Sequence, residues 1–150
     1  MSHAAAWRAA LATCALVVVL DQVSKQAAID ALVGRSPIEL PLGFELDYVT
    51  NEGIAFGLFD NGEGFVIAIT LAALGLLIGW FASDPTKAGL WSAVGLIAGG
   101  AIGNLADRLR EGAVTDFIDP PNWPAFNVAD VAITLGVVLL LLAYMGPRKE

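Results

Sequence analysis

Three stretches of this chain, 65–82, 88–106 and 128–145, are almost free of charge and almost wholly apolar. Each has about the 18–20 residues that a helix needs to cross roughly 30 Å of hydrocarbon. In lipid the backbone must satisfy its own hydrogen bonds, so such segments are expected to be helices. The composition leaves little alternative. The chain is 57% hydrophobic and 15% charged, against about 45–50% apolar and about 25% charged for a soluble domain. Buried helices of a soluble protein would need polar surface to cover them, and this chain has too little. Disorder is excluded by the same numbers.

A fourth apolar block opens the chain. Residues 9–20 are too few to span alone, so a crossing helix must take in Arg8 at one end and Asp21 to Lys25 at the other. Arg8 can reach a headgroup with its long side chain. A cleavable leader is the rival reading, and Leu11-Ala12-Thr13-Cys14 faintly resembles a lipoprotein cleavage box. The apolar run continues past Cys14, so a helix is expected. The expected fold is an all-α membrane protein in one domain. Four transmembrane helices cover about 5–26, 65–82, 88–108 and 128–145, with outer loops at about 27–64 and 109–127. The single cysteine excludes an internal disulfide framework, and the single histidine, His3, excludes a His-rich metal site. A net charge of −7 speaks against nucleic acid as a partner.

Orientation follows from basic residues. With four spans both termini share a side, and that side holds Arg8, Lys87, Arg148 and Lys149 in short segments. Lys25, Arg35, Arg108 and Arg110 are spread over two longer loops. By density the termini are expected in the cytoplasm. In the first outer loop, Phe44-Glu45-Leu46-Asp47-Tyr48 alternates apolar and acidic residues, the pattern of a half-buried strand. Asp60-Asn61-Gly62 is a turn signal, and Gly53, Gly57, Gly62 and Gly64 permit loop motion. A small extracytoplasmic sheet is expected within this loop.

The unusual polar residues fall at one membrane level. Asp21 and Lys25, four apart, share a face at the outer end of helix one. Asn104, Asp107 and Arg108 lie at the outer end of helix three, preceded by Gly99, Gly100 and Gly103, which allow close helix approach. Asn127 and Asp130 open helix four, and Asp116 lies in the loop before it. Each has a bland reading: Asn127 as an N-cap, Asp21–Lys25 as a surface pair worth under about 1 kcal/mol, Arg108 as a phosphate anchor of helix three, against its functional reading as the ion-pair partner of Asp116. Four segments converging in a chain this poor in charge favour a site. Two nearby carboxyls, Asp116 and Asp130, do not ionise together easily, so one keeps its proton. The ionised one can take a proton from water while the other polarises a carbonyl. Asn104, Arg108 and Asn127 are expected to line the cleft around them. A proton relay in a small transporter and a non-catalytic scaffold are the rival readings. A relay should lie near mid-membrane, and a scaffold leaves the paired aspartates unexplained.

Four stretches resemble the lipoprotein signal peptidases (signal peptidase II), bacterial membrane aspartic proteases. They are Asp21-Gln22-Val23-Ser24-Lys25, Asn51-Glu52-Gly53-Ile54-Ala55-Phe56-Gly57, the run from Gly99 through Arg108 to Asp116-Phe117-Ile118, and Ala125-Phe126-Asn127-Val128-Ala129-Asp130. They stand in the family's order. The resemblance implies removal of the signal peptide from diacylglyceryl-modified prolipoproteins, cut on the amino side of the lipidated cysteine. It implies a catalytic dyad at Asp116 and Asp130, with Asn51, Gly53, Asn104, Arg108 and Asn127 shaping or supporting the pocket and Asp21 and Lys25 as a structural polar pair. It implies no cofactor and no metal, membrane lipids as partners, a monomer, and an inner-membrane location with the site at the outer face. Val131 departs from the serine of many relatives, Glu52 adds a charge beside Asn51, and the 120–124 stretch is compact.

Overall fold

The computed structural model describes residues 1–53 and 62–145. Residues 54–57 of the second motif, Asp60-Asn61 of the turn signal and the basic tail at 146–150 lie outside the described residues.

Four helices and three short strands make up the described chain. Helix α1, His3–Leu32, starts on Ser2, whose Oγ accepts from the Ala5 amide at 3.2 Å. It runs past the expected end near residue 26, so the first outer connection begins about six residues later than 27. Nothing in 27–32 breaks a helix, and Gln26 donates to Asp30 one turn on. The chain leaves the helix at Gly34, in the left-handed region at φ 72°. Helices α2, Gly62–Ser83, α3, Leu90–Glu111, and α4, Val128–Met145, follow.

Helices α1, α2 and α4 are long and apolar enough to cross a membrane. Their outward faces carry large exposed apolar residues such as Leu16, Leu76, Leu135 and Leu142. Helix α3 is more polar because it is the covered one, packed against all three others. Its glycines let backbones meet: a Cβ on Gly99 would stand 2.8 Å from the Cys14 carbonyl of α1, and one on Gly103 would strike Asp21. Gly100 fits the same way against Ala129 of α4. At the far end, Trp7 meets Phe81 edge-on at 4.7 Å, within a small core of Ala6, Ala10, Leu90 and Val94.

The sheet is not confined to the first outer loop. Strand β1, Ile38–Glu39, is only two residues, too short to cover β2, Glu45–Asn51. The missing edge comes from the connection between α3 and α4: β3, Val114–Asp119, pairs antiparallel with β2 to give the order β1-β2-β3. A bridge from Ile118 to Phe126 then carries the chain back to the start of α4. Strand β3 thus holds the second connection against the first.

Candidate active site

Asp116 sits in β3 with 1% of its surface exposed. Both carboxylate oxygens accept hydrogen bonds: Oδ2 from Asn51 Nδ2 at 3.0 Å and Oδ1 from Asn127 Nδ2 at 2.7 Å. Burial pushes its pKa above the ordinary carboxylate range, because desolvation penalises the charged form. The Asn51 bond pulls the other way, the negative charge of Asp130 adds to the rise, and the Asn127 bond and the Lys25 charge oppose it.

Asp130 lies in the first turn of α4. Its Oδ1 accepts from Asn104 Nδ2 at 2.9 Å and its Oδ2 from the Asn127 backbone amide at 3.1 Å. One residue therefore ties the two carboxylates: Asn127 donates to Asp116 through its side-chain amide and to Asp130 through its backbone. Asn127 also donates to Asn104 Oδ1 at 3.1 Å.

What orients Asn104 is Lys25. Its Nζ donates to Asn104 Oδ1 at 2.8 Å and pairs with Asp21 Oδ2 at 2.8 Å and Asp107 Oδ2 at 2.7 Å. An ammonium has three donors, and all three are engaged in a site where Lys25 is 3% exposed. With its oxygen committed to the ammonium, Asn104 presents its NH₂ to Asp130. Asp21 Oδ1 accepts from the Ala129 amide at 3.0 Å, so the same cluster grips the first turn of α4. Asp107 is closed off by Gln22 at 2.9 Å and Arg110 at 3.3 Å, and Arg110 also donates to Gln22 Oε1.

The structure extends one sequence reading and changes another. Asp21 and Lys25, expected as a structural polar pair, are buried, so the bland alternative of a surface pair falls away, and Asp107 makes them a triad. The sequence places Asp107 at the outer end of helix three beside Asn104 but offers no sign that it meets Lys25. Asn104 and Asn127 donate to the two carboxyls as expected, but neither lines the cleft beside Asp116: Asn127 has no exposed surface, and Asn104 borders a separate apolar cavity with Ile97, Ala101 and Ile133. That cleft, about 400 Å³, is lined by Val49, Asn51, Glu52, Gly53, Pro124 and Asp116. Asp130 opens instead to an apolar groove of about 340 Å³ with Trp123, Phe126, Val131 and Leu135. Arg108 lies beneath Gly53, where a Cβ would stand 3.3 Å from its Nη2. It forms no ion pair with Asp116, and its Nε is buried without a partner among the described residues. Among the described residues no cluster of three or more His, Cys, Asp and Glu is set to hold a metal.

A buried carboxyl with a raised pKa next to a hydrogen-bonded carboxylate suits general acid–base chemistry. A family model described as signal peptidase (SPase) II matches residues 13–146. The lipoprotein signal peptidase of Pelotomaculum thermopropionicum is 44% identical over 139 residues, covering 91% of each chain. That of Syntrophotalea carbinolica is 42% identical over 148 residues, covering 93% of this chain and 92% of the relative. A solved bacterial membrane enzyme, determined by the in meso method at 1.9 Å, superposes with a TM-score of 0.82 at 29% identity over 94% of both chains.

Proposed function

The chain belongs to the signal peptidase II family, membrane aspartic proteases that cleave signal peptides from prolipoproteins, and on that premise we propose that Asp116 and Asp130 are its catalytic dyad. The substrate is a diacylglyceryl-modified prolipoprotein, cut on the amino side of the lipidated cysteine. The observation that carries the assignment is the bridge of Asn127 between the two carboxylates.

The chemistry follows from the asymmetry of the pair. Asp116, with its raised pKa, holds the proton and donates to the scissile carbonyl. Asp130, the carboxylate, takes a proton from water as the water oxygen attacks that carbonyl. In the tetrahedral intermediate the former carbonyl oxygen carries the proton from Asp116. Collapse returns that proton to Asp116, and the proton on Asp130 passes to the departing amine. Asn51, Asn127 and Asn104 hold the carboxylates in register throughout. Asn51 and Gly53 border the cleft at Asp116 where peptide backbone enters, and the Gly53 amide donates to Asn51 Oδ1 at 2.9 Å, fixing that side chain.

The chain crosses the membrane four times in this reading, as a monomer in the cytoplasmic membrane. Three helices have the length and apolarity to span, and α3, sheathed by them, needs less. The density of basic residues supports cytoplasmic termini and a dyad at the outer face. The acyl chains of a lipidated cysteine then lie in the outer leaflet, beside the apolar groove that opens at Asp130.

The test is to incubate the purified protein with a diacylglyceryl-modified prolipoprotein and with its unlipidated form, reading the cut by mass. Release of the signal peptide from the lipidated form alone is expected. No cleavage of either, or equal cleavage of both, overturns the substrate assignment.

A further inference from the structure

We propose that Asp47 is a positioning residue for the dyad, holding the β-bulge that turns Asn51 toward Asp116. The inference rests on the peptidase reading above. In the ladder between β2 and β3, Leu46 stands opposite Ile118 and Val49 opposite Asp116. Three steps along β2 therefore match two along β3, which is one extra residue on β2.

That extra residue decides which side chains meet the carboxyl. Successive residues of a strand point to opposite faces. Ile118, Asp116 and Val114 share one face of β3, and Leu46 shares it through its pairing with Ile118. An unbroken β2 would put Tyr48 and Thr50 on that face and send Asn51 to the other. The bulge reverses the parity. Val49 and Asn51 now line the cleft with Asp116, Tyr48 lines a separate cavity behind it with Lys25 and Thr115, and Thr50 borders both. Asn51 stands opposite Val114 and diagonal to Asp116, within reach of its Oδ2.

A bulge needs a partner for the amide it takes out of the ladder. Asp47 supplies it: its Oδ1 accepts from the Tyr48 amide at 2.7 Å. Neither Asp47 nor Tyr48 has a ladder partner. The Asp47 carboxylate thus acts on Asp116 at one remove, through the register of β2. Among the described residues, the charged or titratable groups that act on Asp116 are Lys25 of α1 and Asp130 of α4, with Glu52 along the cleft.

The experiment compares Asp47→Ala, Asn51→Ala, the double variant and Asp47→Asn on a diacylglyceryl-modified prolipoprotein across pH. Asp47→Ala is expected to lower kcat/KM about tenfold, the scale of one hydrogen bond to a charged group. Its alkaline limb should move up, as in Asn51→Ala, since Asp116 loses a bond that lowers its pKa. The double variant should be no slower than Asn51→Ala alone. Asp47→Asn, which keeps the accepting oxygen and loses the charge, should restore the wild-type rate and profile. Multiplicative losses in the double variant, or no rescue by Asp47→Asn, overturn the proposal. Should Asp47→Ala fail to accumulate, Asp47→Ser, a weaker acceptor, must give a partial loss with the same alkaline displacement; a wild-type profile contradicts the proposal. A readout free of turnover is the disulfide between Asn51→Cys and Val114→Cys, which are ladder partners. It should form with Asp47 and fail with Asp47→Ala. Formation in both backgrounds overturns the inference even if the peptidase reading stands, and an inactive wild type sinks that reading while the disulfide still tests the register.

Discussion

Asn127 and Asp130 cap each other at the start of α4. The Asp130 amide donates to Asn127 Oδ1 at 3.1 Å, and the Asn127 amide donates to Asp130 Oδ2 at 3.1 Å. This is the reciprocal capping box of a helix N-terminus, built here from one member of the proposed dyad and the residue that bonds both of its carboxyls. Fold and site therefore share the same atoms, and substitutions can be chosen to part them.

Asn127→Ser is the variant that parts them. Serine caps a helix about as well as asparagine, but it has no amide group to reach Asp116 and Asn104. Both variants lose the buried side-chain donor, but Asn127→Ser keeps the cap, so it should be more stable in detergent than Asn127→Ala by about 1 kcal/mol. Turnover should fall in both, by about 10²–10³ if the bond to Asp116 matters as much as a donor to developing charge. A serine variant with wild-type turnover would remove Asn127 from the site.

Lys25 tests the buried triad. Lys25→Met leaves Asp21 and Asp107 facing each other without their cation. Breaking a buried pair from one side costs about 3–5 kcal/mol. Pairing Lys25→Met with Asp107→Asn removes one of the two stranded charges, so the double variant should unfold at a higher temperature than the single. A double variant that is less stable than Lys25→Met would contradict the ion-pair account.

The raised pKa of Asp116 fixes the sign of a pH effect. Between the ordinary carboxylate value and the raised one, folded protein holds a proton that unfolded chain has lost. Stability from this group therefore falls as pH rises through that window. In the proposed mechanism activity should fall at high pH, where Asp116 loses the proton it donates. Denaturation measured against pH should show the slope in wild type, and Asp116→Asn should flatten it. An unchanged slope in that variant would assign the effect to another group.

Gly103 marks where α1 and α3 touch. A Cβ there meets the Asp21 carboxylate, which must move off Lys25 or Ala129. Gly103→Ala should destabilise by roughly 1–3 kcal/mol, the cost of overpacking. Gly79→Ala on α2, where a Cβ meets nothing within 4 Å, is the control and should unfold like wild type.

Several of these features were legible in the residues themselves. Uninterrupted apolar runs mark α2 and α4 because lipid leaves no other option for their backbone. The glycines before Asn104 announce close packing. The polar residues stand out because charge is so scarce in the chain. Other features depend on contacts between distant segments. The alternation from Phe44 to Tyr48 gives the strand but puts Asn51 on the wrong face, since a bulge adds one residue without changing the pattern. Strand β3 is hidden in a connection whose strand character appears only when β2 offers its edge. Asp107 reads as one more charge at a helix end until α1 brings Lys25 to it.

The most direct measurement of the central claim is signal-peptide release by purified Asp116→Asn and Asp130→Asn, each with thermal unfolding recorded beside it. Each amide fits the space of the acid it replaces but turns an NH₂ toward a donor that the acid accepted from, so both variants should still fold cooperatively, with a stability loss of about 1–3 kcal/mol. Neither should release detectable signal peptide from a diacylglyceryl-modified prolipoprotein under conditions where wild type goes to completion. Wild-type turnover by either folded variant would contradict the dyad.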